Sequence, residues 1–202
     1  MAQAKLELVF DYSSPYAYFG SQRVEAVAVR HNLDLIWTPI VLGGVFQALG
    51  SKPLVELSPA RAKYTLEDLQ NLADYYQVPY KPRTQFIVRS ILPLRATLQV
   101  PQGPERARAA HALFHAAWAQ DADLGDGAVV SKVLTGAGFD GAKLVEGTQQ
   151  QAVKDELKRN TDQAIARGVF GSPTYFVEGG KMFWGHDRLD LVDRYLSMSK
   201  AS

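Results

Sequence analysis

Phe10-Asp11-Tyr12-Ser13-Ser14-Pro15-Tyr16-Ala17-Tyr18 joins a strand to a helix, and the rest of the chain reads outward from it. Upstream, Leu6, Leu8, Val9 and Phe10 are apolar and predict a buried strand. Downstream, apolar residues recur at helical spacing from Tyr18 to Arg30. Ser14 falls at the junction as the expected N-cap. Pro15 takes the first helical position, where a missing N–H costs nothing. A hydroxyl is thereby set at the positive end of a helix, among backbone N–H groups that favour an anion. The residues alone fit two roles: a plain helix cap, and a serine that stabilises a negative charge carried by another molecule.

The composition bounds these roles. A chain of 202 residues suffices for one domain with a large core, or for one domain carrying an insertion. Cysteine is absent, which excludes disulfides, thiolate metal sites and cysteine nucleophiles. The formal net charge of +1 gives no electrostatic case for nucleic acid or an anionic membrane. No basic stretch followed by an apolar run opens the sequence, and no apolar run approaches a membrane span, so a cytoplasmic protein is expected.

The first helix should stop near His31-Asn32, with Asn32 as a left-handed cap. Leu33 to Ile40 alternates as a second strand, predicting a right-handed βαβ unit with parallel strands. Gly43-Gly44 opens a short helix closed by Gly50. Ser58-Pro59 starts another, whose predicted apolar stripe is Tyr64, Leu66, Leu69, Leu72, Ala73 and Tyr76. A helix from Thr84 would be kinked or ended by Pro93. Helices are also predicted over 104–120, 126–134, 142–145 and 148–167, the last capped by Gly168. Thr174 to Val177 and Met182 to Trp184 flank Glu178-Gly179-Gly180-Lys181 as a hairpin, and a last helix runs from Asp187 to Met198. The order βαβ, helical block, ββα describes one α/β sheet domain, residues 1–50 and 165–202, interrupted by an all-helical insertion at 51–164.

Three further constellations carry chemistry. In Gly168-Val169-Phe170-Gly171-Ser172-Pro173-Thr174, a proline entering a strand after glycine and serine is a candidate for a cis bond. In that geometry Ser172 would turn its backbone groups outward, toward an extended peptide; the alternative is an ordinary edge-strand proline. In Gly185-His186-Asp187-Arg188, Asp187 suits the start of the last helix, or else holds a ligand's ammonium group. His111 and His115 share a helix face at i, i+4 but have no third ligand in pattern, so no metal is expected. Ser14 has no evident histidine partner for a nucleophilic triad, and Gly43-Gly44 lacks the spacing and lysine of a phosphate loop.

These motifs, in this order, resemble the thioredoxin fold with a DsbA-type helical insertion. Where redox members carry Cys-Pro-x-Cys, this chain has Ser14-Pro15-Tyr16-Ala17, which rules out dithiol exchange. The serine-bearing branch it resembles comprises the 2-hydroxychromene-2-carboxylate isomerases and the kappa-class glutathione transferases. Gly43-Gly44-Val45-Phe46, Gly50-Ser51-Lys52-Pro53, Lys63-Tyr64 and Glu67-Asp68-Leu69 fit that branch, as does Phe183-Trp184-Gly185-His186-Asp187-Arg188-Leu189.

The resemblance implies that glutathione is the cofactor. Ser14 would hydrogen-bond its sulfur and favour the thiolate, flanked by Pro15 and Tyr16. The backbone of Ser172, beside Pro173, would pair with the cysteinyl unit, and His186, Asp187 and Arg188 would meet the γ-glutamyl end. Ser51 stands where the family often has asparagine, and His186 where serine or asparagine is common. The implied reaction is isomerisation: thiolate addition to an unsaturated carbon of a bicyclic hemiketal, ring opening, bond rotation and loss of the thiol. A kappa-like transferase that conjugates small electrophiles, or a non-catalytic thioredoxin-fold binding module, are the alternatives. Tyr12, Tyr16, Phe46, Phe86 and Trp184 are candidates to surround a small aromatic carboxylate substrate, and Lys52, Arg83 and Arg89 to meet its carboxylate. Family likeness also implies a homodimer, with neither nucleic acid nor membrane as a partner.

Overall fold

The computed structural model describes residues 4–51, 58–84, 88–177 and 180–199. Strand β1 (Lys5–Phe10) is the centre of the molecule. Its side chains alternate: Leu6, Leu8 and Phe10 enter a large apolar cluster, while Val9 enters a smaller one on the opposite face. Helix α1 (Pro15–His31) follows and returns to β2 (Asp34–Pro39). The strands β3 (Thr174–Val177) and β4 (Met182–Trp184) come much later in the chain. The sheet order is β2-β1-β3-β4. β1 pairs parallel with β2 and antiparallel with β3, so that Leu8 lies between Trp37 and Tyr175; β3 and β4 are antiparallel. This mixed four-stranded sheet is the thioredoxin fold that the resemblance implies.

Helices α2 (Leu42–Leu49), α3 (Pro59–Tyr76), α4 (Ile91–Leu98), α5 (Pro104–Trp118), α6 (Gly127–Gly136), α7 (Gly141–Gly147) and α8 (Gln151–Ala166) lie between β2 and β3. A 3-10 turn, His186–Arg188, then leads into α9 (Leu189–Ser199). The larger cluster joins one sheet face to α1 and α9, and also to Leu69 of α3, Leu94 of α4 and Leu113 and Phe114 of α5. Leu42, Val45 and Ala164 cover the other face. Helix α8 serves both, sending Val153 and Leu157 to the larger cluster and Ala164 to the smaller. Arg106 fastens the helical block to β2: its buried guanidinium donates to the carbonyls of Val100, Leu98 and Trp37 at 2.9, 3.0 and 3.4 Å. Among the described residues no helix is long and apolar enough to cross a membrane.

Local punctuation is where the sequence predicts it. Ser14 caps α1 by accepting from the Ala17 N–H at 3.1 Å, and Asn32 ends that helix with φ 55°. Ser58 caps α3 by accepting from the Arg61 N–H at 3.3 Å. Packing departs from expectation in three places. In α3, Tyr64 and Leu66 are exposed and the buried stripe narrows to Thr65, Leu69 and Ala73, because the helix touches the core along one edge only. Pro93 does not break a helix begun at Thr84: α4 starts at Ile91, which puts Pro93 in its first turn, where an N–H has no intrahelical partner. Helix α2 begins at Leu42 and takes Gly43 and Gly44 into its first turn. Glu178 and Gly179 of the hairpin loop lie outside the described residues.

Candidate functional site

The loop between β1 and α1 is built on a buried carboxylate. Asp11 accepts from the Ser13 N–H at 2.8 Å and from the Leu42 N–H at 2.7 Å, with the Ser90 hydroxyl also in reach. Burial pushes the Asp11 carboxyl above its ordinary range, and these donors oppose the rise. Asp11 therefore ties the start of α2 to the loop that presents Ser14. The Asp11 N–H donates to Ser172 Oγ at 3.1 Å, bringing the late strand to the same point. Sequence reasoning passes over Asp11, although its local signal, an aspartate bonding the N–H two residues on, is a recognised turn device.

Ser14 is buried and makes two bonds through one oxygen. Its Oγ accepts from Ala17 N–H as the helix cap, and its hydroxyl donates to the Ser172 carbonyl at 2.7 Å. The Ser172–Pro173 bond is cis, the alternative the sequence favours no more than an edge proline. Glycines let the surrounding backbone close up. A Cβ on Gly171 would lie 2.3 Å from the Trp184 indole nitrogen, and one on Gly20 would lie 2.2 Å from Tyr175 Oη. The first holds β4 against the Ser172 loop; the second lets α1 lie directly on β3.

The far side of Ser14 is aromatic. The Tyr16 ring stacks on His186 at 5.3 Å and 6°. The Tyr16 hydroxyl donates to Asp68 of α3 at 3.1 Å, and His186 Nδ1 lies 3.3 Å from the Tyr76 hydroxyl. Burial raises the Tyr16 phenol and lowers the His186 imidazole, so both are uncharged at neutral pH. Asp187 and Arg188 are half-exposed and pair with each other at 2.6 Å.

These groups wall a pocket of about 990 Å³ that runs from the end of the sheet to the helices between β2 and β3. It gathers the predicted Ser14, Pro15, Tyr16, Ser172, His186, Asp187 and Arg188. Phe46, Trp184 and Arg89, candidates for the second substrate's surroundings, also line it. Other candidates stand elsewhere. Pro173 is buried behind Ser172, and Ser51 is exposed beyond α2, its N–H donating to the Phe46 carbonyl at 2.9 Å. Tyr12 belongs to the core: its hydroxyl meets Thr97 at 2.6 Å, and its ring packs edge-on to Phe10 and Phe114. Arg83 is also structural, its buried guanidinium lying 3.7 Å from Asp121 and bonded to the Ala122 carbonyl. Lys52 and Phe86 lie outside the described residues. His111 packs edge-on to Trp37 and contacts Glu25 at 3.3 Å. Among the described residues no group of three or more acidic, histidine or cysteine side chains is placed to hold a metal.

Fold and site together define a thioredoxin-fold protein whose helix-terminal cysteine position is filled by serine. The sequence model of the DSBA-like thioredoxin domain matches residues 5–197, and the chain belongs to that family. Within it, the chain is 28% identical over 193 residues to 2-hydroxychromene-2-carboxylate isomerase of Sphingobium xenophagum, covering 95% of this chain and 97% of that one. It is 24% identical to glutathione S-transferase kappa 1 of Rattus norvegicus, covering 93% and 88%. Among solved structures, a 2-hydroxychromene-2-carboxylate isomerase superposes with a TM-score of 0.87 at 25% identity, covering 96% and 94%. A probable DsbA oxidoreductase from Streptomyces coelicolor superposes at 0.79 with 17% identity, which speaks to the fold.

Proposed function

We propose that this chain is a glutathione-dependent isomerase of the 2-hydroxychromene-2-carboxylate type, yielding trans-o-hydroxybenzylidenepyruvate. One observation carries the reading. In a chain without cysteine, the Ser14 hydroxyl stands at the N-terminus of α1, on the wall of a large pocket and 2.7 Å from the Ser172 carbonyl. The isomerases among its relatives support the same choice, and the kappa transferases support glutathione.

The donors and acceptors present fit a cysteinyl tripeptide. A thiolate is favoured beside a hydroxyl and the positive end of a helix. The Ser172 carbonyl is an acceptor suited to an extended peptide N–H. His186, Asp187 and Arg188 offer an acceptor and a cation for the γ-glutamyl end. When bound, glutathione supplies the nucleophilic sulfur for reversible addition to the substrate.

What the chain does follows from the two bonds of Ser14. Its hydroxyl is engaged by Ser172 O. A peptide N–H that takes over Ser172 O releases the Ser14 O–H to face the sulfur, while the Ala17 N–H keeps its hold on Oγ. Peptide binding and thiolate stabilisation are thus coupled through one exchange of donors.

The test is an ultraviolet pH titration of bound glutathione's thiolate, paired with turnover of 2-hydroxychromene-2-carboxylate at constant total glutathione. The expected result is a depressed thiol pKa that rises in Ser14→Ala, with no glutathione consumed. Stoichiometric consumption with an electrophile would establish the kappa-like transferase, the second reading that the relatives favour. A thiol pKa indifferent to Ser14→Ala would leave a binding module.

A further inference from the structure

The helical-block half of the pocket is apolar, with Val88, Ile91 and Leu92 facing Val41, Leu42 and Phe46. Two guanidinia, Arg89 and Arg95, stand among them. Arg95 lies one turn after Ile91 on α4, on the same helix face, and both line the pocket. Its Nε is buried and has no hydrogen-bond partner among the described residues. Nor does any described carboxylate form an ion pair with it, although such pairs hold the two other arginines that line the pocket. Arg89 pairs with Asp123, and Arg188 pairs with Asp187 at 2.6 Å. A smaller adjoining cleft also includes Arg95, together with Lys154, Lys158 and Asp162, but Asp162 pairs with Lys158 at 2.5 Å. Arg106 marks the contrast inside the same helical block: there a protein carbonyl answers the buried Nε at 2.9 Å.

A guanidinium with a desolvated, unanswered N–H in an apolar wall is unfavourable until an anion arrives. We infer that Arg95 is the anion anchor of the second-substrate half of the pocket, recognising the carboxylate of a flat aromatic acid. The planar fork of arginine suits a carboxylate better than an ammonium does. Phe46, Leu92 and Ser14 line the same pocket as Arg95, and on the isomerase reading an acid held there would turn its unsaturated carbons toward Ser14. The inference deepens the isomerase reading and rests on it for the direction of the reacting end. Glutathione also carries carboxylates, so the test must separate the two sources of that group.

Binding of trans-cinnamate and of its neutral isostere cinnamamide is measured by calorimetry, with and without saturating glutathione. The proteins are the wild type, Arg95→Met and Arg95→Lys. The expected result is a tenfold or greater preference of the wild type for the acid, lost in Arg95→Met and partly kept in Arg95→Lys. Glutathione affinity should stay within twofold throughout. Equal binding of acid and amide by the wild type overturns the inference whatever the variants do. So does a preference that survives Arg95→Met, or an Arg95→Met that weakens glutathione alone. If glutathione fails to bind but the acid preference still depends on Arg95, the anchor stands and the thiol reading falls.

Discussion

The two ends of the pocket are built on opposite plans. At the Ser14 end, described polar groups answer one another: Asp11 is met by two backbone N–H groups, Ser14 by Ala17 and Ser172, and Tyr16 by Asp68. At the helical-block end the wall is apolar and a single buried Nε is left without a partner. Hydrogen-bonded backbone holds the first in one geometry, which suits a step repeated in every turnover. The second is walled by side chains of α2 and α4 and the residues just before them, which can change with the substrate while the sheet stays the same. On the proposed function, a thiol-handling end and a selecting end can thus vary separately.

The largest effect expected of any substitution is at the thiol end. Replacing Ser14 by alanine removes a donor to a charged sulfur, about 1.5–3 kcal/mol, or roughly tenfold to a hundredfold in thiolate population. The bound thiol pKa should rise by about one to two, read by thiolate absorbance, and the lost cap should lower stability by about 1 kcal/mol. Ser14→Thr, which keeps the hydroxyl, should retain most of both. If alanine shifts neither quantity, the two ends do not differ in the way described.

Next comes rigidity. Gly20→Ala sets a Cβ 2.2 Å from Tyr175 Oη and 3.2 Å from Pro173 Cγ, with Tyr175 fully buried and unable to retreat. Overpacking of this kind costs about 1–3 kcal/mol, and Tm should fall by roughly 2–4 °C per kcal/mol. An alanine accepted without loss would show that α1 is free to lift from β3.

A smaller effect is expected where the two regions meet. Tyr16→Phe deletes the bond from α1 to Asp68 of α3 while keeping the ring on His186. Denaturant unfolding should report a loss of about 1 kcal/mol. The thiol pKa should not move.

The smallest effect is in pH dependence. Burial lowers the His186 imidazole, with Asp187 and Asp68 opposing the change and Arg23 and Arg188 reinforcing it. Its folded value therefore lies below the unfolded one. The associated stability is complete above the unfolded pKa of about 6.5 and is lost as pH falls through the folded value. His186→Phe should flatten the stability curve over that acid window and leave it unchanged above neutrality, as measured by denaturant titration at several pH values.

Features carried by neighbouring residues were legible in the chain alone. The Ser14-Pro15 and Ser58-Pro59 caps, the Asn32 stop and the order of strands and helices follow from residue types a few positions apart, and the absence of cysteine from composition alone. Tertiary structure alone decided which side chains share the pocket. Tyr12 and Tyr16 lie four residues apart and read alike, yet one is locked in the core by Thr97 and the other lines the site. Asp11 gains its role from Leu42, and Arg95 from the apolar walls and from partners that Arg89 and Arg106 have and it lacks. Caps and turns are settled by short-range hydrogen bonds. A pocket is settled by which distant segments pack together and which charges that packing leaves unanswered.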